Sequence, residues 1–256
     1  DIVDIWGHRR IAGELTVTCA TCEHLAGLEC LERVAGSVSI WNNSSLESLT
    51  GLDNLELAGD GLFVGFNTAL ADVGALGALH TVDGTLTFAQ NDVLASLDGL
   101  GVASVDGDLH LESNDALEDV DGLAGLSGGV AELTITSNPA LERLDGLAGV
   151  DAVASLLIIN GNDSLGSLEG LEGVAEVGWL FQIHENASLA DLAALGGLEA
   201  VHGYLSIHDN AGLEHLGLDS LHILGEDYGP DLQITENPLL PTCEAEQLLG
   251  QLESAG

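Results

Sequence analysis

Apolar residues recur along nearly the whole chain in one fixed pattern: a leucine-x-isoleucine pair, an asparagine three positions on, then leucines every three residues. Ser39-Ile40-Trp41-Asn42-Asn43 leads to Leu46, Leu49 and Leu52, and the same frame returns at Asn67, Asn91, Asn114, Asn138, Asn162, Asn186, Asn210 and Asn237. The steps between these asparagines are 24, 24, 23, 24, 24, 24, 24 and 27 residues. Further apolar positions follow the leucines, such as Leu76, Leu79 and Val82 or Leu171, Val174 and Val177. A glycine often closes the unit, as at Gly36, Gly84, Gly107 and Gly203.

The alternation in L-x-I has period two, so it predicts a short strand with one face inward. Leucines at intervals of three suit a path that turns at corners. One such unit cannot close a core, but stacked units cover one another. The pattern therefore predicts an all-β fold, a parallel β-solenoid of about ten 24-residue turns. At about 4.8 Å per turn it is a rod on the order of 50 Å long. Asparagine at a fixed corner reads as a ladder, its amide bonding backbone groups of its own turn and the neighbouring coil. Asn43, Asn162 and Asn186 begin N-x-S sequences but are ladder residues, expected to be inaccessible. Asn42, which begins Asn-Asn-Ser, is the exposed acceptor if the host glycosylates.

The division expected is one solenoid domain over residues 1–256, with an N-terminal cap and degenerate first repeat (1–36), regular repeats (37–240) and a C-terminal capping helix (241–256). In the first copy Leu15 and Val17 are in frame, but Cys19 stands at the asparagine position. Cys22 and Cys30 follow closely, and Cys243 lies near the other end. A zinc site in the front group would need a fourth ligand, with His24 nearest. In an exported protein a disulfide is the better reading. Cys19 or Cys22 with Cys30 is expected, because a Cys19–Cys22 loop is short and constrains little. Cys243 is separated from this group by about nine coils, on the order of 40 Å, against the roughly 7 Å a disulfide spans. It is expected to be unpaired in this chain. After Pro241, Thr242 can cap a helix whose Leu248, Leu249 and Leu252 fold onto the last coil and which the chain end is expected to cut short.

Charge changes the picture. The chain carries 42 acidic residues against four arginines (Arg9, Arg10, Arg33, Arg143) and no lysine, a net charge of −38. Such a surface repels nucleic acid and anionic membranes. No apolar run is long enough to span a bilayer. There is no methionine, and the chain begins Asp1-Ile2-Val3. With the cysteines, this predicts a secreted or cell-surface protein whose signal peptide has been removed.

Copies such as Asp108-Leu109-His110-Leu111-Glu112-Ser113-Asn114 and Tyr204-Leu205-Ser206-Ile207-His208-Asp209-Asn210 resemble the leucine-rich repeat of the receptor L domain, found in insulin and epidermal-growth-factor receptors. The resemblance covers roughly residues 13 to 240. It implies a right-handed parallel β-solenoid, an extracellular place and ligand contact across one sheet face. The chain lacks the furin-like cysteine-rich segment and the kinase of those receptors, so signalling is not implied.

Candidate chemistry is sparse. G-x-S-x-G, H-E-x-x-H and G-x-x-x-x-G-K are absent, and there is no lysine for a Schiff base, so no catalytic residue and no enzymatic activity are expected. No cofactor is expected beyond weak Ca2+ binding, because the pairs Asp98-Gly99, Asp121-Gly122 and Asp145-Gly146 put carboxylates at one point of successive coils. The outward positions of the L-x-I strands form two columns. One runs Thr16, Ser39, Phe63, Thr87, His110, Thr134, Ile158, Gln182, Ser206, Gln233; the other runs Thr18, Trp41, Gly65, Ala89, Glu112, Thr136, Asn160, His184, His208, Thr235. This face is nearly free of charge. Its expected binding residues are Trp41, Phe63, His110, Ile158, Gln182, His184 and His208, with a protein or glycan as partner. His184, His208 and Asp209, with Glu185 near, are candidate metal ligands or a pH-sensitive group. The alternative is an extracellular polymer subunit that self-associates end to end, with His8, Arg9 and Arg10 at the front and Glu244, Glu246 and Glu253 at the back.

Overall fold

The structure is a computed structural model that describes residues 9–225 and 232–255. The first eight residues of the expected N-terminal cap, His8 among them, lie outside the described residues. The L-x-I segments form ten parallel strands: Leu15–Val17, Val38–Trp41, Gly61–Gly65, Thr85–Ala89, Leu109–Glu112, Gly128–Thr136, Val150–Asn160, Leu180–His184, Tyr204–His208 and Leu232–Thr235. Each pairs with the next one along the chain, giving a β-solenoid of about nine turns of roughly 24 residues. Short strands after the leucine corners build a second sheet, Arg10–Ile11, Arg33–Val34, Leu57–Ala58, Thr81–Val82 and Ser104–Val105. Where Ala131 and Ser155 take the closing-glycine position with no glycine beside them, the corner straightens: Gly128–Thr136 and Val150–Asn160 run through it as strands of 9 and 11 residues.

The inward residues fill one continuous core. The leucines at three-residue intervals, the valines of the second sheet and the L-x-I pairs are buried up to the last coil, where Leu232, Ile234 and Leu240 are half-buried, and Phe88 and Phe181 are the largest fully buried side chains. Burying each such side chain contributes about 1.5–3 kcal/mol. Close stacking sets a size limit at the L-x-G-L glycine. A Cβ on Gly146 would lie 1.9 Å from the Val120 carbonyl of the preceding coil.

All nine repeat asparagines are buried. From Asn43 to Asn210, the backbone N–H and the Nδ2 group each donate to Oδ1 of the next asparagine, at 2.9–3.4 Å. From Asn43 to Asn237, Nδ2 also donates to a strand carbonyl of the preceding coil, at 2.9–3.3 Å. One asparagine thus ties three coils together.

The residue before each asparagine is left-handed. Asn42, Phe66, Gln90, Ser113, Ser137, Glu185, Asp209 and Glu236 have φ between 54° and 59°, and Gly161 has φ 66°. This turn swings the asparagine inward, and for a residue with a Cβ it costs about 1–2 kcal/mol. Only Asn42, Gly161 and Asp209 among the nine are residue types that favour this conformation, too few to signal it.

The front corrects one expectation. Cys19 is bonded to Cys22, with Cα atoms 5.5 Å apart, and Cys30 is free and exposed, as is Cys243. The reason is local: a turn in which the Cys22 N–H donates to the Cys19 carbonyl at 3.4 Å brings the pair together, whereas Cys30 lies beyond the buried Leu25 and Leu28. The Cys19 backbone N–H donates to Asn43 Oδ1, but cysteine has no amide to carry the ladder further. At the back, the helix Thr242–Ala255 packs on the last coil through Leu248 and Leu252. Leu249, expected to fold inward, is 47% exposed, because it lies about 100° round the helix from Leu248 while Leu252 shares its face. Gln251 Nε2 donates to the Leu218 and Leu221 carbonyls.

The left-handed corners give a test that involves no packing change. A Cβ on Gly161 would meet nothing closer than 3.6 Å. Gly161→Ala is expected to lower stability by about 1 kcal/mol through backbone strain alone, and Ser137→Gly to raise it by about 0.5–1 kcal/mol. Urea denaturation measures both; two neutral substitutions would show that the corners are not strained.

Candidate binding face

The pairing register places the outward residues of the main sheet except Thr18, which lies past the end of the strand Leu15–Val17. Thr16, Ser39, Phe63, Thr87, His110, Thr134, Ile158, Gln182, Ser206 and Gln233 are consecutive cross-strand neighbours. Trp41, Gly65, Ala89, Glu112, Thr136, Asn160, His184, His208 and Thr235 form the second column in the same way. Trp41 is 42% exposed, and Phe63, His110, Ile158, Gln182, His184 and His208 are half-buried by their neighbours. The fold does not gather these seven residues into one spot; it spreads them along the rod as two groups and a middle.

The first group is aromatic. The Phe63 ring lies over Gly65, where a Cβ would come within 2.5 Å of its Cζ. Gly65 is the strand partner of Trp41. Phe66, turned outward by its left-handed backbone and 45% exposed, lies 6.3 Å from Phe63 between ring centres. Beside this cluster is a shallow cleft of about 240 Å3, lined by Ser37, Ser39, Asp60, Gly61, Phe63, Thr85 and Thr87. Gly61 lines it with φ at 122°, where a Cβ would lie 2.7 Å from the Thr85 carbonyl, and the walls offer four hydroxyls. Phe66 escaped sequence reasoning because it sits on a corner rather than in either column.

The second group is the histidine pair. His184 and His208 are strand partners, and their rings stack at 4.5 Å with planes 12° apart. His208 Nδ1 donates to Asp209 Oδ2 at 2.8 Å. Burial, and then the neighbouring His208, hold the His184 imidazole below the usual histidine range. The His208 hydrogen bond lowers the Asp209 carboxyl, and a bond to Asp209 raises Glu236. His184, His208 and Asp209 thus form a stacked, hydrogen-bonded group. Among the described residues, the group whose possible ligand atoms all lie within 4.8 Å of one another is instead Asp108, His110 and Glu132, in the middle of the same face.

Those two acidic residues were missed because only two columns were read. Strand alternation extends one step upstream, through Ser37, Gly61, Thr85, Asp108, Glu132, Leu156, Leu180 and Tyr204. A third outward column was available from the same period. The Asp-Gly rows hold a different surprise. Arg143 stands 3.1 Å from Asp119, 2.8 Å from Asp121 and 3.9 Å from Asp145, so an internal guanidinium supplies the positive charge there.

No family model, no curated protein and no solved structure matches the chain. No described helix is long and apolar enough to cross a membrane.

The histidine pair predicts a pH effect of definite sign. Folded His184 holds its proton less readily than the unfolded chain does. Between its lowered value and the ordinary one of about 6.5, the unfolded state binds more protons, so stability falls as pH falls through that window. His208, Glu185 and Asp209 are the titrating groups that face it; the Asp209 and Glu236 shifts act lower, in the carboxylate range. The melting temperature of the native chain is expected to drop relative to His184→Gln between about pH 7.5 and about pH 5.5. Parallel curves would show that the pair imposes no such penalty.

Proposed function

We propose that the chain is a non-enzymatic binding or adhesion module that works outside the cell and recognises a glycan or protein through the exposed face of the main sheet. The observation that carries this reading is the aromatic cluster of Trp41, Phe63 and Phe66 beside a hydroxyl-lined cleft, on a molecule of net charge −38. Aromatic rings on a charge-poor surface are the usual anchors of recognition. A pyranose presents an apolar face to such rings and hydroxyls to such walls. The disulfide Cys19–Cys22 supports an oxidising compartment. Resemblance of the repeat to the receptor L domain supports ligand contact across a sheet face, and the lack of hydrolase, zincin and phosphate-loop motifs supports a role without catalysis.

The alternative, a polymer assembled by end-to-end stacking, has less behind it. The helix Thr242–Ala255 covers the rear coil, where Gln251 already engages the Leu218 and Leu221 carbonyls. Arg9 at the front is engaged by Glu32 of its own chain.

Glycan and protein arrays probed with the labelled chain, alongside Trp41→Ala and Phe63→Ala, test the proposal. Each substitution is expected to weaken the best-binding feature by about tenfold or more, equivalent to over about 1.4 kcal/mol, with melting temperatures within about 3 °C of the parent. Unchanged binding by both variants would exclude this end of the face. A collapse in melting temperature would mean that the rings serve the core.

A further inference from the structure

The middle of the sheet face carries chemistry of another kind. Asp108 leads into the strand Leu109–Glu112, and the pairing of Leu109 with Leu133 sets Glu132 beside it on the adjacent strand. His110, two residues after Asp108, emerges on the same face. An imidazole nitrogen and one oxygen from each carboxylate lie within 4.8 Å of one another. Two carboxylates directly opposite on neighbouring strands repel. None of the four arginines relieves them: Arg9 faces Glu32, Arg33 faces Glu56, Arg143 faces Asp119 and Asp121, and Arg10 belongs to the second sheet.

A second observation is independent of charge. His110 Nε2 is a buried atom with no hydrogen-bond partner. It lies 3.8 Å from Glu132 Oε2, too far for a hydrogen bond and close enough for a shared ion. Nδ1 of the same ring lies 3.8 Å from Glu112. Leaving a buried imidazole nitrogen unbonded is unfavourable, and a metal ion between it and the carboxylates would satisfy all three groups. Asp108 is already oriented, since Thr85 Oγ1 donates to its Oδ2 at 3.0 Å and leaves the other oxygen free. Such an outer hydrogen bond is what fixes a metal-binding carboxylate. Glu132 is placed by a local irregularity: the pairing of its strand with Val150–Asn160 shifts register on either side of Val130, immediately before it. Bulges of this sort re-aim side chains.

The geometry points to a divalent transition-metal site of the zinc class, with Asp108, His110 and Glu132 as protein ligands. One imidazole with two carboxylates suits Zn2+ or Co2+ better than Ca2+ or Mg2+, which prefer all-oxygen sets. Ligand bonds of about 2.0–2.2 Å require the donor atoms to close by about 1 Å, which side-chain rotation on two rigid strands provides. Three protein ligands leave one position facing solvent. The site holds whether or not the aromatic end of the face docks a partner.

Titration of chelator-stripped protein with Zn2+ by calorimetry, and with Co2+ by visible absorption, tests this. One equivalent is expected to bind well above the background of the acidic surface. His110→Ala and Glu132→Gln are each expected to weaken it by at least about tenfold, and the double variant His184→Gln, His208→Gln to keep it. Calcium at equal concentration is expected not to displace zinc. Should His110→Ala melt lower than the parent, Glu132→Gln decides the matter. Undiminished binding in Glu132→Gln and His110→Ala, loss of the equivalent in the His184, His208 variant, or displacement by calcium would each overturn the assignment.

Discussion

Everything in this molecule depends on a column of buried amides. A β-solenoid bends its backbone at every corner, and a corner facing inward would bury polar groups without partners. The asparagine side chain solves this by being donor and acceptor at once. Its Oδ1 takes two bonds from the preceding asparagine, while its Nδ2 reaches a carbonyl of the preceding coil and the Oδ1 of the following asparagine. Aspartate could not donate, and leucine could do neither. Repetition of one residue at one corner fixes the spacing of the coils and the register of the main sheet.

Two consequences follow from that register. The residue ahead of each amide is held left-handed, a conformation that eight non-glycine residues tolerate because the ladder and the next strand fix it from both sides. Outward residues are also aligned into columns that run the length of the rod. Side chains 24 residues apart in sequence become neighbours, so an aromatic end, an Asp-His-Glu middle and a histidine pair can be written into one face independently of the core. Because a solenoid interior is uniform, one stretch of the face differs from another through what departs from the repeat: Gly61, Phe66 at a corner, the bulge near Val130.

The parallel solenoid and the burial of the asparagines were legible in the sequence because both follow from a period that recurs nine times. The columns were legible too, since alternation along a strand is geometric. What the sequence hid was local. Cys19 and Cys22 are joined because one turn brings their backbones together, a detail that loop-length reasoning set aside in favour of Cys30. Leu249 faces solvent because a helix buries only one stripe. Asp108 and Glu132 were passed over because the face was read two columns wide, although Leu109 and Leu133 were already in frame. Arg143 among the Asp-Gly turns could have been found by the same stacking argument applied to charge.

Net charge −38 makes the ladder matter more, since a surface with so few cations opposes compaction. The central claim is that the amides hold the coils together rather than merely occupy corners. Asn138→Ala, measured by equilibrium urea denaturation, tests it most directly. The substitution leaves the backbone N–H of Asn114 without its acceptor and takes one donor from the carbonyl of Leu111, both inside the stack. A loss of at least about 2 kcal/mol is predicted, at about 1–3 kcal/mol for each buried group left without a partner. A change within about 0.5 kcal/mol, the range of an ordinary surface substitution, would contradict the account.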